Sequence, residues 1–148
     1  MLYELSYESV SRPDISTSVI DEILETSRDN NAELNVTGCL ISYNGRFIQL
    51  LEGEKQIVKD LYEKIRQDKR HKDVQLIGEN ITKERTFPKW GMAYFPIDEE
   101  HVSGNELEQF RRNLKLLADF SNPSSVTSIL FWVKVKTLLA EPPGFDLK

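Results

Sequence analysis

Alternating apolar and polar positions predict five β-strands within the first 96 residues. The alternation at the start of the chain puts Tyr3, Leu5 and Tyr7 on one strand face. Asn44-Gly45 stands between two β-rich runs, and this dipeptide favours a type I′ hairpin turn because both central residues of such a turn need positive φ. The predicted strands cover residues 2–9, 34–43, 46–51, 74–81 and 91–96.

Helical spacing of apolar residues predicts two helices between these strands. Ser16 is a good N-cap for the first, and Asn30-Asn31 is a plausible end for it. The resulting order, β-α-β-β-α-β-β, is typical of an α+β, ferredoxin-like sheet that carries both helices on one face. The apolar positions of the two helices are Val19, Ile20, Ile23 and Leu24, followed by Ile57, Val58, Leu61, Tyr62 and Ile65.

The chain beyond residue 98 is predicted to be helical. We therefore expect a domain over residues 1–98 and a helical extension over 99–148 that packs on it. A third helix would carry an apolar stripe from Leu107 to Leu117, and a fourth would begin at Asn122-Pro123 and stop at Pro142-Pro143-Gly144. Both stripes would cover the second sheet face, although Leu130-Phe131-Trp132-Val133 could leave a surface for a partner. The expected buried positions of the fourth helix are Val126, Ile129, Leu130, Val133 and Leu138.

Composition excludes several classes of function. The 148 residues carry 19 basic and 24 acidic side chains, a net charge of −5, which argues against nucleic acid or anionic lipid as a partner. The single cysteine, Cys39, and the lack of a signal-like N-terminus or a long apolar span predict a cytoplasmic protein with no membrane segment. Two histidines and scattered glycines give no metal cluster and no phosphate loop, so enzymatic turnover is not indicated.

Three polar residues do not fit a plain apolar core. Gln49 shares its predicted strand face with Phe47 and Leu51, and Tyr7 shares that of Leu5. A buried amide must find hydrogen-bond partners, so Gln49 either faces solvent or meets something polar inside the fold. Asn31 is equally consistent with a helix end. Together, the three groups would hold a small planar ligand between the helices and the sheet.

These residues lie in a series of short segments that resembles the BLUF family of blue-light sensors that use flavin. The resemblance runs through residues 2–96 in order and spacing, and the overall layout is similar to the short stand-alone members of that family. The matching segments are Tyr7-Glu8-Ser9, Asn30-Asn31-Ala32, Val36-Thr37-Gly38, Phe47-Ile48-Gln49-Leu50-Leu51-Glu52-Gly53, Asp68-Lys69-Arg70-His71 and Phe87-Pro88-Lys89-Trp90-Gly91-Met92.

The resemblance implies a role for each matching residue. Gln49 would be the switching amide beside flavin N5 and C4=O, and Tyr7 its partner and photochemical electron donor. Asn31, with Asn30 nearby, would bind the C4 carbonyl and N3 edge of the ring. The ring would lie among Phe47, Ile23 and Ile65, its ribityl and phosphate side would meet Lys64, Asp68, Arg70 and His71, and either Trp90 or Met92 would face it.

The resemblance also implies how the sensor works. Blue light would drive an electron from Tyr7 to the flavin, and recombination would leave Gln49 rotated or tautomerised at an unchanged redox level. FAD is the expected flavin, with FMN or riboflavin as alternatives. Output would pass through the C-terminal helices to a homo-oligomer or a separate protein partner.

Three other functional hypotheses also start from the β-α-β-β-α-β pattern. A ferredoxin-like interaction module without flavin would leave Gln49 facing solvent. An RNA-recognition module would need exposed aromatic residues within a basic central strand, which Phe47-Ile48-Gln49-Leu50-Leu51 does not offer. An acylphosphatase-type hydrolase would need an arginine-bearing loop and a partnering asparagine after the first strand, which is not evident.

Overall fold

The secondary structure follows the predicted order of strands and helices. The computed structural model describes residues 1–11, 29–43, 45–87, 93–96 and 125–139, with single helical positions at Glu22, Glu25 and Arg112. The predicted helix from Leu107 to Leu117 and the stop at Pro142-Pro143-Gly144 lie outside these ranges. The strands are β1 (Leu2–Ser11), β2 (Thr37–Tyr43), β3 (Arg46–Glu54), β4 (His71–Ile81) and β5 (Ala93–Pro96), and the helical segments are α1 (29–34), α2 (Lys55–Arg66) and α3 (Val126–Leu139).

The five strands form one sheet in the order β4-β1-β3-β2-β5. All neighbours are antiparallel except β2 and β5, which are parallel. The predicted α+β, ferredoxin-like fold is confirmed, with β1 and β3 at the centre and β5 added beside β2. Gly45, with φ of +72°, adopts the left-handed conformation that the hairpin between β2 and β3 requires.

Each face of the sheet carries its own apolar core. On one face, α2 packs through Val58 against β1 and β3. On the other face α3 packs against the central strands, so the expectation that a C-terminal helix covers the second face holds for α3. The α2 core contains Tyr3, Leu5, Tyr7, Val36, Leu40, Leu51 and Val58, and the α3 core contains Cys39, Ile41, Ile48, Leu50, Phe87, Phe131, Trp132, Val135 and Leu138.

The face of α3 that meets the sheet is not the predicted one. Val126, Ile129, Leu130 and Val133 were expected to be buried, and that expectation is wrong because all four side chains are exposed; only Leu138 is buried as predicted. Phe131 and Trp132 were predicted as a candidate partner surface together with Leu130 and Val133, and both are buried. The two aromatic rings have more apolar area to remove from water, and this selects the buried face.

Two predicted helix ends are shifted in the structure. Asn30 and Asn31 do not end the first helix, because α1 continues through residue 34 and stops at Asn35, which has a φ of +56°. An asparagine at the first non-helical position tolerates this left-handed conformation. The C-terminal helix begins at Val126 instead of Pro123, and the Ser125 side chain caps it by accepting from the Ser128 N–H at 3.2 Å.

The described residues include neither a membrane-spanning helix nor a metal-binding cluster. None of the described helices has the length and apolar character needed to cross a bilayer. The described part of the chain also holds no group of three or more histidine, cysteine, aspartate or glutamate side chains arranged to bind a metal ion.

Two valines on α3 test which face of this helix is buried. Val135 is fully buried and Val133 is 53% exposed, so Val135→Ala leaves a cavity while Val133→Ala does not. We expect Val135→Ala to lower the free energy of unfolding by about 1–3 kcal/mol and Val133→Ala to change it by less than about 0.5 kcal/mol. Chemical denaturation of both variants measures this difference. Equal losses in the two variants would contradict the assigned face.

Candidate functional site

Tyr7 and Gln49 meet at the centre of the sheet. They are register partners on β1 and β3, and the Tyr7 hydroxyl donates a hydrogen bond to Gln49 Oε1 at 2.5 Å. Gln49 is only 7% exposed and Tyr7 only 4%. Burial raises the pKa of the Tyr7 phenol well above its usual value, with smaller contributions from Tyr62 and Asp68. Tyr7 is therefore a neutral hydrogen-bond donor in the resting protein.

Aromatic rings surround this hydrogen bond on the α2 side of the sheet. The Tyr62 ring centre lies 5.7 Å from that of Tyr7, and the His71 ring meets Tyr7 edge-on at 6.3 Å. His71 also lies edge-on to Phe47 at 6.5 Å. Phe47 and Ile65 line the same core. A polar pair set in apolar and aromatic walls has the character of a binding site for a flat, largely apolar ligand.

His71 ties α2 to β1. Its Nε2 lies 2.6 Å from the Ile65 carbonyl, which can only accept, so Nε2 carries the proton and donates. Its Nδ1 lies 2.8 Å from Ser9 Oγ. Both ring nitrogens are thus engaged by protein atoms, and these contacts hold the C-terminal end of α2 beside the Tyr7–Gln49 pair. The expected contact between His71 and a phosphate group remains a prediction.

The other predicted binding residues differ in burial. Asn31 is 2% exposed, and its backbone carbonyl accepts from the Val36 N–H, which fixes the turn after α1. Asn30 and Lys64 are exposed, and Ile65 is half-buried. Asp68 and Arg70 form a close ion pair at the end of α2, and the hydrogen bond from Arg70 lowers the pKa of the Asp68 carboxyl. The predicted positions that lie outside the described residues are Ile23, Trp90 and Met92.

The reverse face of the two central strands carries buried polar groups that the sequence reasoning did not single out. Glu4, Ser6 and Glu52 are all fully buried on the side that faces α3. Ser6 Oγ donates to the backbone carbonyl of Gln49 at 2.8 Å. Strand alternation could have identified these positions, because polar residues at 4, 6 and 52 share a face with Ile48 and Leu50.

Glu52 organises the loop that precedes residue 88. Its carboxylate accepts from the N–H groups of Thr86 and Phe87 and from the Thr37 hydroxyl, at 2.6–2.9 Å. Arg85 donates to the Glu52 and Asn35 carbonyls and to Thr37. Several residues of the matching segments, Thr37 and Glu52 among them, therefore hold the framework around the site.

Glu4 has fewer hydrogen-bond partners than Glu52, the other buried carboxyl. Ser125 and Asn80 approach it, yet among the described residues neither carboxyl oxygen has a hydrogen-bond partner of standard geometry. Burial raises the pKa of Glu4 above its ordinary value of 4.5, and the neighbouring Glu52 adds to the rise. A buried carboxyl in this setting favours its neutral, protonated form.

Comparison with known proteins identifies the family to which this chain is similar. The chain matches the BLUF family, described as sensors of blue light using FAD, over residues 2–93. It is 40% identical over 93 residues to the photoactivated adenylate cyclase subunit beta of Euglena longa, covering 62% of this chain and 11% of that protein. It is 35% identical over 97 residues to BluF, the blue light- and temperature-regulated antirepressor of Escherichia coli K12, covering 66% of this chain and 24% of that protein.

Solved structures extend the similarity to the fold. BlrB, a BLUF protein solved in its dark state, gives a TM-score of 0.65 at 26% identity, over 93% of this chain and 97% of that one. A bacterial light-regulated adenylyl cyclase gives a TM-score of 0.67 at 30% identity, over 80% of this chain and 34% of the cyclase. The chain thus spans 11%, 24% and 34% of the cyclase subunit, BluF and the bacterial cyclase, but 97% of BlrB.

The fold and the buried phenol–amide pair define a flavin-binding blue-light sensor domain. The chain belongs to the BLUF family, as its match over residues 2–93 shows. It also shares the fold of BlrB, a BLUF protein, over 97% of that protein's chain. The flavin-free interaction module is disfavoured, because Gln49 is buried and does not face solvent.

The buried carboxyl of Glu4 makes stability depend on pH. Its pKa is raised in the folded state, so the folded chain binds the proton more tightly than the unfolded chain does. From pH 4.5 upward the contribution of Glu4 to the free energy of unfolding should fall, by up to about 1.4 kcal/mol per pH unit. It should level off above the folded-state pKa of Glu4. Glu4→Gln should remove this part of the dependence. Denaturant titrations of wild type and variant from pH 4 to pH 9, in roughly unit steps, measure it.

Glu8→Gln is the matched control for this experiment. Glu8 lies on the same strand face but is part-exposed and pairs with Lys134 Nζ at 3.4 Å. We expect Glu8→Gln to leave the pH dependence close to that of wild type, because exposed ion pairs contribute little to stability. A Glu4→Gln variant whose stability falls with pH as steeply as that of wild type would contradict the assignment.

Proposed function

We propose that Tyr7 and Gln49 form the photochemical switch of this flavin-binding sensor. The observation that supports the proposal is the buried hydrogen bond from the Tyr7 hydroxyl to Gln49 Oε1. Both side chains can change partners, because the phenol both donates and accepts and the two ends of the amide have opposite hydrogen-bonding character. A half-turn of the amide would therefore reverse the direction of donation in this pair.

The hydrogen bond gives a path for a proton. A bound flavin supplies blue-light absorption and an acceptor for one electron. Tyr7 would be the electron donor; its oxidised phenol would be strongly acidic, and its proton would move along the hydrogen bond to Gln49 Oε1. Return of the electron and of one proton would restore the Tyr7 phenol. Gln49 would be left rotated or tautomerised, with its hydrogen-bond donor redirected.

The chemistry of the buried side chains fits a flavin. The imide edge of the ring presents two carbonyls and one N–H, and the amides of Asn31 and Gln49 offer both donors and acceptors. Both are buried, at 2% and 7% exposure. Phe47 and Ile65 would supply apolar contacts to the ring, and we assign the same role to Ile23, which lies outside the described residues.

FAD is the flavin we propose, because the family is described by it. We assign the ribityl and phosphate side to Lys64, Asp68, Arg70 and His71, of which Asp68 and Arg70 form an ion pair at the end of α2. Asn30 would lie near Asn31 at the edge of the ring. FMN and riboflavin share the ring that Asn31 and Gln49 would bind. Extraction of the flavin from the purified chain, followed by chromatography against FAD, FMN and riboflavin, identifies the species.

Output is proposed to pass through α3 to other protein molecules. We place the sensor in the cytoplasm, as a homo-oligomer that signals to a separate protein partner and contacts neither nucleic acid nor membrane. Trp90 or Met92, near β5, would take part in that output. The net charge of −5 supports the absence of nucleic-acid and anionic-membrane contacts, and the single cysteine, Cys39, supports the cytoplasmic assignment.

Replacing Tyr7 by phenylalanine tests the switch. Tyr7→Phe keeps the ring and its packing but removes the donor to Gln49, so we expect flavin to bind and the light-induced red shift of its absorption to disappear. Loss of this one hydrogen bond should lower stability by only about 1 kcal/mol. Absorption spectra of the flavin-loaded variant, in darkness and under blue light, measure the effect.

Tyr62→Phe is the control for this variant. It makes the same chemical change 5.7 Å away, in the same aromatic cluster, on a residue that does not contact Gln49 through its hydroxyl in the described network. We expect Tyr62→Phe to retain the full red shift. A Tyr7→Phe variant that still shifts as wild type does would overturn the proposed switch.

A further inference from the structure

Gln49 forms hydrogen bonds with residues on both faces of the sheet. The Gln49 side chain lies on the α2 side, where it meets Tyr7. The Gln49 backbone carbonyl accepts a hydrogen bond from Ser6 Oγ, whose side chain lies on the α3 side and is fully buried. Any displacement of the Gln49 peptide group therefore changes the length or angle of its hydrogen bond with the Ser6 hydroxyl.

Helix α3 packs on β1 and β4 in the region of Ser6. Ser125, the residue before the helix, approaches Glu4, and Lys134, just past the middle of the helix, pairs with Glu8 at 3.4 Å. The nine residue steps from 125 to 134 span about 13.5 Å of helix. The four residue steps from Glu4 to Glu8 span about 13 Å of strand. The two lengths agree, so this part of α3 runs alongside the β1 segment that has Ser6 at its centre.

Contacts on the neighbouring strand give the same placement. Gly78 of β4 is the register partner of Ser6. A Cβ built on Gly78 would lie 3.1 Å from Thr127 Oγ1 and 3.5 Å from Leu130 Cδ1. The first turns of α3 therefore approach the sheet backbone closely beside Ser6, where a Cβ would make a tight contact with Thr127.

The start of α3 and the rest of the helix are held to the sheet by different forces. From Phe131 onward, the helix buries the aromatic rings of Phe131 and Trp132, with Val135 and Leu138, in the apolar core. Before Phe131 it buries the polar residues Thr127 and Ser128, and the Thr127 N–H donates to Asn80 Oδ1 at 3.1 Å. Apolar packing tolerates small shifts, whereas directional polar contacts change partners in discrete steps.

We propose that Ser6 is the positioning residue that couples the Gln49 switch to the start of α3. This inference rests on the proposed function. Ser6 touches neither the proposed flavin site nor Tyr7 in the described hydrogen bonds, and it acts by holding the Gln49 carbonyl against the polar seam formed by Glu4, Ser6, Asn80, Thr127 and Ser128. Rearrangement of Gln49 shifts this carbonyl, and the seam passes the change to α3.

Hydrogen–deuterium exchange of the full chain loaded with FAD tests the coupling. In wild type, continuous blue light should change the exchange of α3 amides 126–131 relative to darkness. In Ser6→Ala the flavin red shift should keep its wild-type amplitude, because Tyr7 and Gln49 are unaltered. The light-minus-dark exchange difference in α3 should fall about fivefold, the equilibrium factor that one neutral hydrogen bond supplies.

Ser11→Ala is the matched control. Ser11 is also on β1, and its hydroxyl likewise donates to a backbone carbonyl, that of Gly45, at 3.2 Å. This variant should keep both the red shift and the α3 response. A Ser6→Ala variant with an undiminished α3 response, or a wild type that shifts its spectrum without any α3 response, would overturn the coupling. A wild type without a red shift would instead refute the proposed switch, so the two failures are distinct.

Discussion

The pairing of β1 with β3 is the constraint on which the rest of the molecule depends. Their register sets Tyr7 opposite Gln49 and Glu4 opposite Glu52. Because successive side chains of a strand alternate between faces, a slip of one residue would send Tyr7 to the α3 side and Ser6 to the α2 side. Two central strands thus carry a phenol–amide pair on one face and a buried polar seam on the other.

This arrangement explains why so many polar side chains are buried at the centre of an apolar sheet. A fully apolar pair of strands would be simpler to stabilise, since each buried polar group needs a partner. In this protein most of the central groups have one: Tyr7 donates to Gln49, Ser6 to the Gln49 carbonyl, and Glu52 accepts from the 86–87 backbone. Buried hydrogen bonds of this kind specify one arrangement of the side chains. A second arrangement becomes available when the donors and acceptors exchange partners.

The sequence reveals the sheet better than it reveals the C-terminal helix. Alternation and the Asn44-Gly45 turn signal predict the strands because burial on one face forces a period of two. In α3 the run Ile129 to Val133 is apolar at every position, so no stripe distinguishes the face that meets the sheet. Burial follows the size of Phe131 and Trp132, which becomes decisive only when the sheet is present. The position of Asn31 could not be predicted for a related reason. Helix propensity does not distinguish an asparagine that ends a helix from one that is buried within it.

The most direct test of the account is the absorption spectrum of the flavin-loaded chain, taken in darkness, under blue light and during recovery. Rearrangement of the Tyr7–Gln49 network at an unchanged redox level predicts that the flavin band moves to longer wavelength, keeps its intensity and returns in darkness. A band that bleaches under light would mean net reduction of the flavin, and a band that does not move would mean that no switch operates. Either of these results would contradict the account.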